Sequence, residues 1–180
     1  SATGAKPIAC EVNSHDLTID LKDAKKRLTK NTKAIMPVHY SGNPGDLEAI
    51  YSFARKHNLR VIEDAAHAFG SFYKNNLIGS FGDICCFSFD GIKNITSGEG
   101  GAIVTTDEAV INRIKDIRLL GVSRDSDKRY KNQRTWELTV KEQGWRFHMS
   151  NIMASIGIEQ LKKFKVFQQQ RKELAKHYQK

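Results

Sequence analysis

A chain of 180 residues with no disordered or fibrous composition is long enough for one globular domain, since folded chains of this size bury roughly 70% of their extended surface. Its three cysteines, Cys10, Cys85 and Cys86, have an odd count and no CxxC spacing, which argues against a disulfide framework or a zinc site and for a reducing compartment, the cytoplasm. The net charge of +9 raises nucleic acid as a partner, but the basic residues gather in 113–134 and 162–180 without interleaved aromatics or finger spacing, and no run approaches the ~18 apolar residues of a membrane span. Two solvated helix faces and a loop account for that charge, and attraction of a multiply anionic small substrate or cofactor is the sharper reading.

In chain order, residues 7–12 read as a strand, and residues 20–28 as a helix capped by Asp20. Residues 33–39 follow as a buried strand. After the turn Ser41-Gly42-Asn43-Pro44-Gly45, Asp46 is placed to cap a helix reaching about residue 57, with Leu47, Ile50, Tyr51 and Ala54 at helical spacing. Residues 59–62 form a strand ending at Glu63-Asp64. Further strands cover 84–89 and 102–105, and Asp107 caps a helix striped by Val110, Ile111, Ile114 and Ile117. Residues 122–143 are polar and poorly periodic, a loop. Ser150 then caps a helix carrying Ile152, Ile156 and Leu161, and the Lys/Gln/Arg-rich tail is helical. Alternating short strands and amphipathic helices define an α/β chain with crossover helices. Its first residues read as the middle of a crossover and its last as the inside of a helix, as in a fragment of a longer polypeptide.

Three residues fall where carboxyl ends of strands are expected, the usual ligand position in open α/β sheets. Asp64 follows Val61-Ile62-Glu63, Ser88 ends an apolar run, and Lys93 sits five residues later in a turn followed by Ser97-Gly98-Glu99-Gly100-Gly101. An amine for an aldehyde, a carboxylate for a ring nitrogen and a hydroxyl for a phosphate are what pyridoxal 5'-phosphate requires. Each has a plainer reading. Asp64 would cap a short helix starting at Ala65, Ser88 is a strand-end hydroxyl, Lys93 a solvated turn lysine, and His67 a partly buried histidine.

The segments V61-I-E-D-A-A-H-A-F-G70, G79-S-F-G-D83, F87-S-F89 with Lys93-Asn94, and G98-E-G-G101 together resemble the DegT/StrS family of sugar aminotransferases. Residues 34–46 (AIMPVHYSGNPGD) and 144–161 (GWRFHMSNIMASIGIEQL) extend the resemblance over nearly the whole chain. It implies the aspartate-aminotransferase-like fold of pyridoxal-phosphate enzymes, a mostly parallel mixed sheet between helices, with residues 1–165 as the centre of the large domain and 166–180 as a helix leading to a small C-terminal domain. It also implies a homodimer with shared active sites. By the same carry-over Lys93 forms the Schiff base, Asp64 pairs with the pyridine nitrogen and Ser88 holds the phosphate. His67 stands where glutamine is frequent, beside the ring. His148 stands where an asparagine reaches the neighbouring subunit's cofactor phosphate. The implied reaction moves an amino group from an amino acid, L-glutamate in much of the family, to a keto-sugar nucleotide. Lysine rather than histidine at 93 favours transamination over the dehydration some relatives carry out. A cyclitol or other small ketone as acceptor, and a noncatalytic regulatory module, are the alternatives.

Overall fold

The computed structural model describes residues 3–122 and 139–179. Its elements are α1 (Leu21–Arg27), β1 (Ala34–Ile35), a 3-10 turn (Tyr40–Gly42), α2 (Leu47–Lys56), β2 (Arg60–Asp64), β3 (Phe72–Tyr73), β4 (Asn76–Leu77), β5 (Ile84–Ser88), β6 (Gly101–Thr105), α3 (Glu108–Ile117) and α4 (Asn151–Tyr178). The main sheet has the order β1-β2-β5-β6, parallel across its first three strands and antiparallel between β5 and β6. The mostly parallel mixed sheet expected from the sequence is therefore present.

Each helix starts where a short polar side chain takes up its free backbone donors. Asp20 accepts from the N–H groups of Lys22 and Asp23, Asp46 from Ala49, Asp107 from Ala109 and Val110, and Ser150 from Met153. The 3.6-residue spacing of α2 turns Leu47, Ile50 and Ala54 to one side, where they pack with Val61, Cys85, Ile35 and Ile78 in the buried core. Burying each of the larger aliphatic side chains contributes about 1.5–3 kcal/mol, so this layer fixes α2 on one face of β2 and β5.

Two expected strands are corrected. Residues 7–12 make no strand; the segment forms a single antiparallel bridge, Val12 to Ile19, and otherwise hangs on α1 through Glu11 N–H to the Asp23 carboxylate at 2.9 Å. Its side chains are mostly exposed, so no buried face rewards regular pairing. The strand expected over residues 33–39 is regular only at Ala34–Ile35, with a further bridge at Val38 to Asp64. Pro37 has no N–H to continue a ladder. The β3–β4 hairpin was not foreseen. Its two-residue loop has Lys74 in the left-handed region (φ 53°), closed by the pairing of Tyr73 with Asn76. Of the loop expected over residues 122–143, positions 123–138 lie outside the described residues; its flanks are bridged, Val122 to Val140.

Candidate active site

In the parallel pairing of β2 with β5, Glu63 lies opposite Cys85 and Asp64 opposite Cys86. Strand side chains alternate between faces, so Glu63 and Cys85 point toward α2, both buried, while Asp64, Cys86 and Ser88 stand on the other face. Asp64 and Ser88 thus share one face at the carboxyl ends of adjacent parallel strands. The helix that Asp64 would cap at Ala65 is not formed. Residues 65–70 make turns, and one Asp64 oxygen, Oδ1, accepts from the Ala66 N–H at 3.1 Å.

Lys93 sits in the connection from β5 to β6, a turn stitched by its own polar groups. The Asp90 N–H donates to Ser88 Oγ at 3.3 Å, the Asp90 carboxylate accepts from Ile92 N–H at 3.1 Å, and the Lys93 N–H donates to the Asp90 carbonyl at 3.1 Å. Further on, the Ser97 N–H donates to the Phe89 carbonyl at 2.9 Å and closes the turn. The Asn94 side-chain amide donates to the Phe69 carbonyl at 2.7 Å, tying this turn to the loop after Asp64. His67, in that loop, is exposed. Its Nδ1 accepts from the Ser41 N–H at 3.4 Å, which leaves the neutral ring's proton on Nε2, and the Tyr40 ring meets it edge-on at 6.1 Å.

His148 is exposed in the extended segment before α4, beside Met149, whose methyl packs against Gly100 of the glycine run. No contact among the described residues ties it to Asp64, Ser88 or Lys93. Those three are themselves linked by backbone register and turn rather than by side-chain bonds.

The free valences fit pyridoxal phosphate. Among the described residues the Lys93 amine makes no hydrogen bond or ion pair, the second Asp64 oxygen is unshared, and Ser88, accepting from Asp90, keeps its O–H to donate. An amine, a carboxylate oxygen and a hydroxyl donor are the groups that cofactor needs.

Sequence reasoning missed a buried polar cluster behind this face. Glu63 Oε1 accepts from the Tyr51 hydroxyl at 2.5 Å, that hydroxyl accepts from the Asp83 N–H at 3.0 Å, and Glu63 Oε2 lies 3.2 Å from His39 Nε2, out of hydrogen-bond alignment. The signal was legible: Glu63 shares strand parity with buried Val61, and Tyr51 lies on the apolar stripe of α2. Phe69 was likewise unassigned; its ring meets Phe87, Phe89 and Phe164 edge-on at 5.1–5.7 Å, seating α4 beside the loop.

A mixed, mostly parallel sheet with a lysine turn after a central strand is the architecture of the α/β pyridoxal-phosphate aminotransferases. Residues 1–180 match the DegT/DnrJ/EryC1/StrS aminotransferase family, and the chain belongs to it. An uncharacterized protein of Methanocaldococcus jannaschii is 44% identical over 97% of this chain and 45% of its own length. The UDP-4-amino-4-deoxy-L-arabinose–oxoglutarate aminotransferase of Shewanella sediminis is 39% identical, again over 97% of this chain and 45% of that protein. Among solved structures, PseC of Helicobacter pylori, an aminotransferase involved in the biosynthesis of pseudoaminic acid, superposes with a TM-score of 0.87 at 33% identity, over 98% of this chain and 45% of that one. The chain therefore spans about half the length of the relatives it matches. Enzymes of this family use pyridoxal phosphate.

Proposed function

We propose that this chain supplies the lysine-bearing core of a pyridoxal-phosphate-dependent aminotransferase that moves an amino group from L-glutamate to a keto-sugar nucleotide. The observation that carries this is the register placing Asp64 and Ser88 on one face of β2 and β5, with the unpaired Lys93 amine in the turn that follows. The nucleotide sugar and the oxoglutarate in the name of the Shewanella relative support the substrate classes.

The cofactor supplies an aldehyde and an electron-withdrawing ring that stabilises negative charge on the amino-bearing carbon. Lys93 would hold it covalently through its side-chain amine, and the same amine, when free, would move a proton at the amino-bearing carbon of the substrate. The Asp64 carboxylate accepts from the ring N–H and keeps that nitrogen protonated, an opposite charge favouring the charged form. Ser88 donates to the phosphate, and His67 flanks the ring. His148 reaches toward the phosphate held by a second copy, in a homodimer with shared sites. The positive charge of residues 113–134 would neutralise the diphosphate of the substrate; within that stretch the Arg113 guanidinium pairs with Glu142 at 2.8 Å. Residues 1–165 then belong to the large domain, and α4 continues without a break past residue 165.

Lys93→Ala in the full-length protein tests the reading. The visible cofactor band should disappear and glutamate-driven amination of a keto-sugar nucleotide should fall by about 10²- to 10⁴-fold or more. Turnover by the variant at the wild-type rate, or an unmutated full-length protein that stays colourless with pyridoxal phosphate, would overturn it.

A further inference from the structure

We infer that Glu63 is a positioning residue: from the α2 side of the sheet it fixes, through His39, the two residues proposed to face the cofactor ring, Asp64 and His67. The inference rests on that proposed placement of the cofactor.

Glu63 and His39 are both fully buried, with 0% exposure. A carboxylate taken out of water is costly unless paired, and an apolar residue of similar volume serves stability as well or better. The trio Tyr51, Glu63 and His39 nevertheless stands against the apolar layer of α2, and His39 Nδ1 finds no protein partner. Buried polar groups left so incompletely satisfied call for a reason other than stability.

The backbone gives that reason. His39 N–H donates to the Asp64 carbonyl at 2.9 Å, and Asp64 N–H donates to the Pro37 carbonyl at 2.9 Å. β1 ends at Ile35, so the strip 36–39 is held beside Asp64 by those two bonds and by the seat of the His39 ring against Glu63. His39 also begins the turn Tyr40–Gly42, in which Ser41 adopts φ 53° and aims its N–H at His67 Nδ1. Moving the His39 ring therefore moves the peptide that orients Asp64 and the donor that orients His67. Tyr51, bonded to Glu63 and to the Asp83 N–H, keeps the carboxylate from turning away.

The test uses the full-length enzyme with pyridoxal phosphate. Visible circular dichroism per bound cofactor reports ring orientation, and hydrogen exchange of the cofactor-free protein reports the Ser41 and Asp64 amides. Glu63→Gln should bind cofactor with altered visible dichroism, raise exchange at those amides by about tenfold, and lower kcat by about 10- to 100-fold with little change in KM, the effect of a small misplacement of reacting groups. Ile50→Val, which thins the same layer without touching the cluster, should lower Tm and leave dichroism and kcat unchanged. Wild-type dichroism and kcat in Glu63→Gln would overturn the inference. Should that variant fail to fold, Tyr51→Phe, which keeps the ring, should show the same changes to a smaller degree, and wild-type signals in it would overturn the inference equally. Asp64→Asn separates the two levels. If it leaves the cofactor band and kcat intact, the proposed placement of the cofactor fails; if it abolishes them while Glu63→Gln keeps wild-type dichroism and kcat, only the role of Glu63 fails.

Discussion

Asn94 donates its side-chain amide to the Phe69 carbonyl across 2.7 Å, and the bond joins the turn carrying Lys93 to the loop carrying His67. Two segments 25 residues apart in sequence are thereby held together by a neutral hydrogen bond in a half-buried setting. Asn94→Ala leaves the Phe69 carbonyl without its donor. The expected loss is about 1–3 kcal/mol, read as a lower urea midpoint at unchanged m-value. Asn94→Asp, which has no amide to donate, should behave like alanine rather than like wild type.

Gly82 has φ +98°, and a Cβ there would meet the Tyr51 hydroxyl and come within 2.6 Å of Glu63 Oε1. Gly82→Ala adds left-handed strain to a collision with buried polar atoms, so a destabilisation above about 2 kcal/mol is expected. Gly4 has a similar φ, +76°, with open space around it, and Gly4→Ala should cost about 1 kcal/mol or less. Thermal melts of the pair separate crowding from backbone strain. Equal shifts in Tm would refute the crowding argument.

Burial and the nearby Glu63 push the Cys85 thiol up to about 12, and burial with Asp23 pushes Cys10 up to about 11, both from an ordinary 9.0. Below pH 9 the thiols are protonated in folded and unfolded chain alike, so stability does not depend on them there. Between about pH 9 and the folded values the unfolded chain releases protons first, and stability falls as pH rises. Unfolding free energies from urea titrations at pH 8 to 11 should decline, and Cys85→Ala should flatten the slope. At pH 8 a thiol reagent should reach Cys85 only on unfolding.

On the acid side, Arg27 beside it and the Glu11 N–H hold Asp23 down to about 2, and Arg60 with the Val61 N–H lowers Asp83. Carboxyls depressed in the folded state stabilise it above their ordinary value of 3.8, and that contribution is lost as pH falls toward the folded value. Stability should therefore drop between about pH 4 and pH 2. Asp83→Asn should shrink the drop, and a profile identical to wild type would show that the Arg60 pairing carries no pH dependence.

Much of this arrangement is readable in the amino-acid sequence. Asp20, Asp46, Asp107 and Ser150 announce helix starts because a short acceptor before an apolar stripe meets a local need that tertiary structure does not alter. Asp64 and Ser88 were readable for a similar reason, each standing at the end of an apolar strand. What stayed hidden depends on partners distant in sequence. Residues 7–12 have the composition of a strand, yet among the described residues they pair only through the Val12–Ile19 bridge. Glu63 reads as an ordinary charged residue beside Asp64 until strand alternation sends it toward Tyr51 and His39. The strip 36–39 has the composition of a strand, and Pro37 interrupts it.

Because β6 runs back antiparallel to β5, the lysine turn is the closed end of a hairpin rather than a crossover. Ser88 pairs with Gly101 at its base, and above that pair the Phe89 N–H donates to the Gly100 carbonyl at 2.8 Å. The lysine backbone cannot swing outward without unzipping a central strand, so amide protons at the hairpin's base should exchange only as fast as the sheet opens. Freedom of movement at this turn is then left to the tetramethylene arm of Lys93, a tether whose anchor stays put while its tip sweeps.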